Sequence, residues 1–126
     1  MIIGTGVDIV KIERFSATQN PRFMQRVFSA SEQAYLETKG AQSMAGLFAA
    51  KEAVAKAIGT GFAGFFPCDI EITHDENGKP HVTLHGKANE YAKKTADGHC
   101  FQLHISISHS ATDAVAFAVL EKCERT

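Results

Sequence analysis

An α+β fold is what the sequence predicts, and three observations carry that expectation. The alanine-rich run FAAKEAVAKAIGTG at Phe48–Gly61 reads as a helix that stops at a glycine. Gln102–Ser108 alternates Leu103, Ile105 and Ile107 against His104, Ser106 and Ser108, the period of a half-buried strand. Helical segments come early and antiparallel strands late, with one further strand at the start.

Taken in order, residues 1–10 (MIIGTGVDIV) form the first strand. Ile3, Thr5, Val7 and Ile9 share one face, and Ile2, Gly4, Gly6, Asp8 and Val10 the other. Residues 12–27 have a helical pattern broken at Asn20-Pro21, which gives two short helices. Ser29–Glu32 fits a capping box and opens a helix to about Lys39. Beyond a polar gap at Gly40 lies a long helix, roughly 42–58, with Gly59 in the C-cap position.

Asp69–His74 and His81–Leu84 flank the turn-rich HDENGKP, the pattern of a β-hairpin. Lys87–Ala96 is a short amphipathic helix ending near Gly98. The alternating strand and the loop HSATD lead to AVAFAVLE, which reads as a buried strand. No repeat, low-complexity segment or linker interrupts the chain, so one domain over residues 1–126 is expected.

At 126 residues and net charge −1, nothing global argues for a nucleic-acid or anionic-membrane partner. Residues 1–28 hold Lys11, Arg14, Arg22 and Arg26 against Asp8 and Glu13, a local basic excess that hints at an acidic partner. Cys68, Cys100 and Cys123 lack CxxC spacing, which fits reduced thiols in a cytoplasmic protein and gives no disulfide framework. No apolar run reaches membrane-spanning length, and the N-terminus lacks the pattern of a signal peptide.

Several residues stand out chemically. Asp8 lies among small and aliphatic neighbours, so it needs a cation beside it or a cleft open to solvent. Gly4 and Gly6 on its face leave room for a backbone or a ligand to approach. Glu52 and Lys56 lie four apart on one helix face, either as a solvated pair or as a carboxylate and ammonium held over a phosphate. If Asp8 meets Glu52, the two carboxylates suit Mg²⁺, which binds through one or two carboxylates plus substrate phosphates.

Gly59–Gly64 matches GxGxxG, but the helix precedes the glycines where a dinucleotide fingerprint needs a strand. The turn either ends the helix or aims N–H groups at a phosphate. No Walker-type loop occurs. His81 and His85 in strand or turn do not converge on zinc, and Ser108, His109 and Asp113 are too close in sequence for a hydrolase triad. His109, just past a strand with small hydroxyl residues around it, is a candidate binding residue.

Together, GTGVDIVKIERF, RFMQRVFSASE, FAAKEAVAKAIGTG and ISISHSATDAVAFAV resemble the holo-[acyl-carrier-protein] synthase family, the small bacterial phosphopantetheinyl transferases, over residues 2–120. The resemblance implies the phosphopantetheinyl transferase fold, with an antiparallel sheet packed on the long helix. It implies transfer of the 4′-phosphopantetheine arm of coenzyme A to a serine of apo acyl-carrier protein, in fatty acid biosynthesis. By the same resemblance Asp8 and Glu52 are Mg²⁺ ligands, and Glu52, directly or through a metal-bound water, is the candidate base. Lys56 lies near the coenzyme pyrophosphate and His109 near the adenosine end. Gly59, Thr60 and Gly61 form the phosphate-side loop, and Arg14, Arg22 and Arg26 dock the acidic carrier protein. A homotrimer with active sites between subunits is implied as well.

One position departs from the pattern. Leu47 stands where the family commonly has an arginine for a coenzyme phosphate, so that contact is expected to be missing and Leu47→Arg to tighten coenzyme A binding. Lys51 or another basic residue is the candidate to compensate, and Lys51 is thereby expected to bind the coenzyme. The rival reading is a non-catalytic coenzyme A or carrier-protein binding module on the same scaffold. A structural α+β oligomer would leave Asp8 unexplained.

Overall fold

The computed structural model describes residues 1–123. Strand β1 (Ile2–Lys11) runs through a 3₁₀ turn (Ile12–Phe15) into α1 (Pro21–Val27) and α2 (Ala30–Leu36), followed by the long helix α3 (Ala41–Ile58). A second 3₁₀ turn (Pro67–Asp69) precedes the hairpin β2 (Ile70–His74) and β3 (Pro80–Leu84), then α4 (Gly86–Thr95), β4 (Phe101–His109) and β5 (Asp113–Lys122). The antiparallel sheet has the order β1-β5-β4, and β2-β3 forms a separate two-stranded sheet. None of the described helices is long and apolar enough to cross a membrane.

Local chemistry sets the helix ends. Asn20 accepts a hydrogen bond from the Arg22 N–H (2.8 Å), and Pro21 follows at the first helical position, where its missing N–H costs nothing. Ser29 and Glu32 form the full capping box: the Glu32 N–H donates to Ser29 Oγ (3.2 Å) and the Ser29 N–H to Glu32 Oε1 (2.8 Å). Helix α2 ends at Leu36, short of Lys39. Its last turn tightens, with the Glu37 N–H bonded to Ala34 O and the Lys39 N–H to Leu36 O. Gly59 terminates α3 at φ +97°, a conformation glycine adopts without a Cβ penalty.

Pairing of β1 with β5 runs from Ile2↔Glu121 to Lys11↔Asp113 with a register shift between Ile2 and Gly4, and of β4 with β5 from Phe101↔Lys122 to His109↔Ala114. On the inner face β5 offers Ala114, Ala116, Ala118 and Leu120, and α3 answers with Ala49, Ala50, Ala53 and Ala57, all buried. The contact is closest at β1. A Cβ on Gly4 would collide with the carbonyl of Ala57, and one on Gly6 with the carbonyl of Ala53. The room foreseen at these glycines is thus filled by the helix backbone.

Strand β5 corrects its reading as a buried strand. It is central in the sheet, yet only alternate residues are covered. Phe117 is 47% exposed, and with Val7, Ile9 and Val115 it leaves an apolar outer face bare in the single chain. A second apolar region lies beside α3, where Phe15, Phe23 and Phe48 pack with centroids 5.5 to 6.3 Å apart.

Gly6→Ala forces a methyl group into a backbone carbonyl that cannot move without shifting α3. Overpacking of this kind costs about 3 kcal/mol. Urea unfolding of the variant should show that loss, and a change below about 1 kcal/mol would mean the helix yields easily.

Candidate active site

Asp8 points from the inner face of β1 toward α3 just past the glycine contact, its side chain 20% exposed. Lys56 on the last turn of α3 closes over it: Nζ donates to Asp8 Oδ1 (3.2 Å) and to the Val7 carbonyl (2.9 Å). Glu52, one turn earlier on the same helix face, is half-buried beside them. Burial pushes its carboxyl above the ordinary glutamate range, and the negative charge of Asp8 adds to the rise, while Lys56 and Arg14 pull it back. The structure therefore brings Asp8, Glu52 and Lys56 together.

A carboxylate raised partly by a second carboxylate marks a place where a cation is favoured. Among the described residues no cluster of three or more histidine, cysteine or acidic side chains could hold a metal on its own. Two carboxylates open to solvent on one side, with the remaining positions left to water and phosphate oxygens, fit Mg²⁺ rather than a closed zinc site. His81 and His85 turn to Asp75 and Glu71 respectively, and do not converge.

The structure corrects the assignment of Lys51 to the coenzyme. Lys51 is wholly buried, and its ammonium is held by both oxygens of Glu32 (2.7 and 2.8 Å), by the Pro67 carbonyl (3.2 Å) and by the Ile70 carbonyl. Adjacent helix residues are turned about 100° apart, so Lys51 enters the core while Glu52 faces the cleft. Lys51 cannot stand in for an arginine at position 47. The expected phosphate-facing N–H groups of Gly59 and Gly61 are also corrected: both bond back to carbonyls of the last turn of α3, at 3.0 to 3.2 Å. Thr60 Oγ1 donates to Gly61 O (2.9 Å), so this turn is a helix cap.

His109 is exposed at the end of β4. It lines a cleft of about 200 Å³ with Tyr35, Leu47, His74, Pro80 and Ile107, bounded by α3, the β2–β3 hairpin and β4. Tyr35 and His74 stack in this wall, 4.4 Å between centroids and nearly parallel. Leu47 is only 2% exposed, so it fills core space as well as lining the cleft, and an arginine there would lose that packing.

The Arg14 guanidinium sits over the rings of Phe48 and Phe15 (5.1 and 5.5 Å to the centroids), close enough to Glu52 to influence its titration. Arg22 and Arg26 border an open groove of about 440 Å³ with Phe23, Val27 and Phe66. Phe66, 56% exposed beneath Arg26, was not singled out, although the Phe65-Phe66 doublet was visible in the sequence. Glu32 was read only as a cap. Its bond to Lys51 spans elements that local pattern does not connect.

A sheet on a long helix with paired carboxylates and a lysine is the frame of a phosphate-handling transferase, and the model of the 4′-phosphopantetheinyl transferase superfamily matches residues 4–118. The chain is 48% identical over 125 residues to the holo-[acyl-carrier-protein] synthase of Clostridium novyi, covering 96% of this chain and 88% of that protein. The acyl carrier protein synthase of Plasmodium yoelii with ADP bound superposes with a TM-score of 0.85 at 34% identity, over 98% of each chain. The Helicobacter pylori holo-[acyl-carrier-protein] synthase in complex with coenzyme A gives 0.78 at 32% identity, over 93% of this chain and 99% of that one. This chain belongs to the holo-[acyl-carrier-protein] synthase family.

The Glu52 carboxyl should titrate above the ordinary glutamate range when followed by ¹³C NMR. Asp8→Asn removes one of the two upward influences, so the Glu52 titration should move down while burial keeps it raised. An unmoved Glu52 would mean that Asp8 does not face it.

Proposed function

We propose that this chain transfers the 4′-phosphopantetheine group of coenzyme A to a serine hydroxyl of apo acyl-carrier protein, releasing adenosine 3′,5′-bisphosphate, as in fatty acid biosynthesis. The observation that carries the reading is the meeting of Asp8, Glu52 and Lys56 in a chain of this family. Asp8 and Glu52 hold Mg²⁺, which when bound neutralises pyrophosphate charge and orients the phosphoryl group. Lys56 swings from Asp8 to the pyrophosphate and stabilises the charge that develops toward the leaving group. Glu52, beside Asp8 and Lys56, takes the serine proton directly or through water.

His109 and its cleft take the adenosine end of the coenzyme, and the Gly59-Thr60-Gly61 cap serves to place Lys56. Arg14, together with Arg22, Arg26 and Phe66 of the groove on α1, docks the acidic carrier protein. The chain acts as one domain and assembles as a homotrimer with active sites between subunits. The bare outer face with Val7, Ile9, Val115 and Phe117 supports a covering copy. Its three free thiols suit the cytoplasm.

Intact-mass spectrometry of apo acyl-carrier protein incubated with this chain, coenzyme A and Mg²⁺ tests the reaction. A gain of one phosphopantetheine arm, abolished by EDTA, is expected. No gain with coenzyme A still bound would leave a binding module. Glu52→Gln should lose transfer while unfolding at the native temperature, and near-native turnover would remove Glu52 from its role.

Docking is tested separately. Arg22→Glu should raise KM for the carrier protein about tenfold and leave KM for coenzyme A unchanged. A parallel rise in both would move Arg22 out of the docking surface.

A further inference from the structure

The buried ion pair of Lys51 and Glu32 plays no part in the proposed transfer, and its construction is unusually complete. Both Glu32 oxygens accept from Lys51. Oε1 also accepts from the Ser29 N–H (2.8 Å), and Oε2 from the Ile72 N–H (2.7 Å). Lys51 also donates to the carbonyls of Pro67 and Ile70, so its three N–H groups are shared among four acceptors. One pair of side chains thus ties α2, α3, the second 3₁₀ turn and β2 together, with neither side chain exposed.

Stability is a poor explanation for such a pair. Two charges taken out of water carry a desolvation penalty that their attraction only roughly repays, and apolar or neutral replacements of similar volume are often as stable. Burial acts in that sense here, lowering the proton affinity of Lys51 despite the carboxylate beside it. A pair of this kind does give direction. The surfaces it sits between need that: α3 meets the sheet through alanines against Gly4, Gly6 and the alanines of β5, a seam with few projecting side chains to resist roll or slide.

We propose that Lys51 and Glu32 are positioning residues. Their ion pair fixes the roll of α3, and with it the aim of Glu52 and Lys56, relative to the β2–β3 hairpin that supplies His74 and Pro80 to the coenzyme cleft. Lys51 adjoins Glu52 directly, and its Ile70 carbonyl partner opens β2, so the pair joins the two halves of the site through the core. The inference rests on the transfer reading for its function, while the ion pair itself does not.

The test compares Lys51→Met, Glu32→Gln/Lys51→Met and the wild-type chain in thermal unfolding and in transfer kinetics. Lys51→Met alone strands a buried carboxylate and should unfold at a markedly lower temperature. Adding Glu32→Gln removes the stranded charge, lets an amide oxygen accept from a backbone N–H and an amide N–H donate toward a carbonyl, and should restore most of the loss. If the pair positions the site, kcat of the double variant stays about tenfold to a hundredfold below wild type, as a small misplacement of reacting groups does. KM for the carrier protein changes less than kcat, because Arg14, Arg22 and Arg26 lie on elements the pair does not tie, and only the Pro67 turn beside Phe66 is shared. A kcat that returns together with stability overturns the proposal and leaves the pair merely structural.

Should the double variant fail to fold, Glu32→Asp keeps the charge and shortens its reach. A native unfolding temperature with reduced kcat then supports positioning, and native kcat opposes it. A wild-type chain that binds coenzyme A without transferring anything counts against the proposed reaction, a result distinct from a double variant as fast as wild type.

Discussion

The approach of β1 to α3 is the constraint on which the rest of the molecule depends. With glycines at positions 4 and 6 the strand lies against the carbonyls of Ala57 and Ala53, closer than any side chain permits. This closeness carries Asp8, two residues beyond Gly6 on the same face, to the rim of the helix where Glu52 and Lys56 emerge. A wider seam would hold the same elements in the same order and leave the carboxylates apart. The alanines of α3 and β5 serve the same end, trading the burial of large side chains for proximity.

Electrostatics at the site follow from that proximity. Two acidic groups close together in a partly dehydrated place resist shared ionisation, and the strain falls on Glu52, the one whose largest influence is burial. Asp8 pairs with Lys56, which reaches across from α3 and also donates to the Val7 carbonyl. Arg14, over the ring of Phe48, adds a second positive charge from the side that leads to α1. The basic strip and the acidic pair are thus neighbours in one field. Lys51 lies outside it, neutralised inside the core.

Much of the fold was legible locally. The capping box at Ser29–Glu32, the Asn20-Pro21 start of α1, the glycine stop at Gly59 and the alternation of β4 each rest on chemistry within a few residues, and each stands in the structure. The glycines on the face of Asp8 promised a close approach by a backbone or a ligand without saying which, so the meeting of Asp8 with Glu52 stayed conditional on residue types and was implied by the family resemblance. Other features depended on distant partners. Three charges among alanines do not say which enters the core; that choice was made by Glu32 and by the carbonyls of Pro67 and Ile70. The N–H groups of the glycine turn were committed to the helix end, which residue types alone do not reveal. Strand β5 read as buried because its alanines conceal that valine and phenylalanine alternate onto an open face.

The sheet order carries a consequence for how the chain comes to exist. Among the described strands β1 pairs with β5 alone, so a strand made early waits for one made late, and the Met1 nitrogen meets the Lys122 carbonyl only when everything between them has been synthesised. Contacts that join the two ends of a sequence pay loop closure before they return any burial, and they form late. Until then β1, and Asp8 with it, has α3 to pack against but no strand to take its hydrogen bonds. A nascent chain therefore holds its charged centre on an unpaired strand, and the centre is fixed only with the complete sheet.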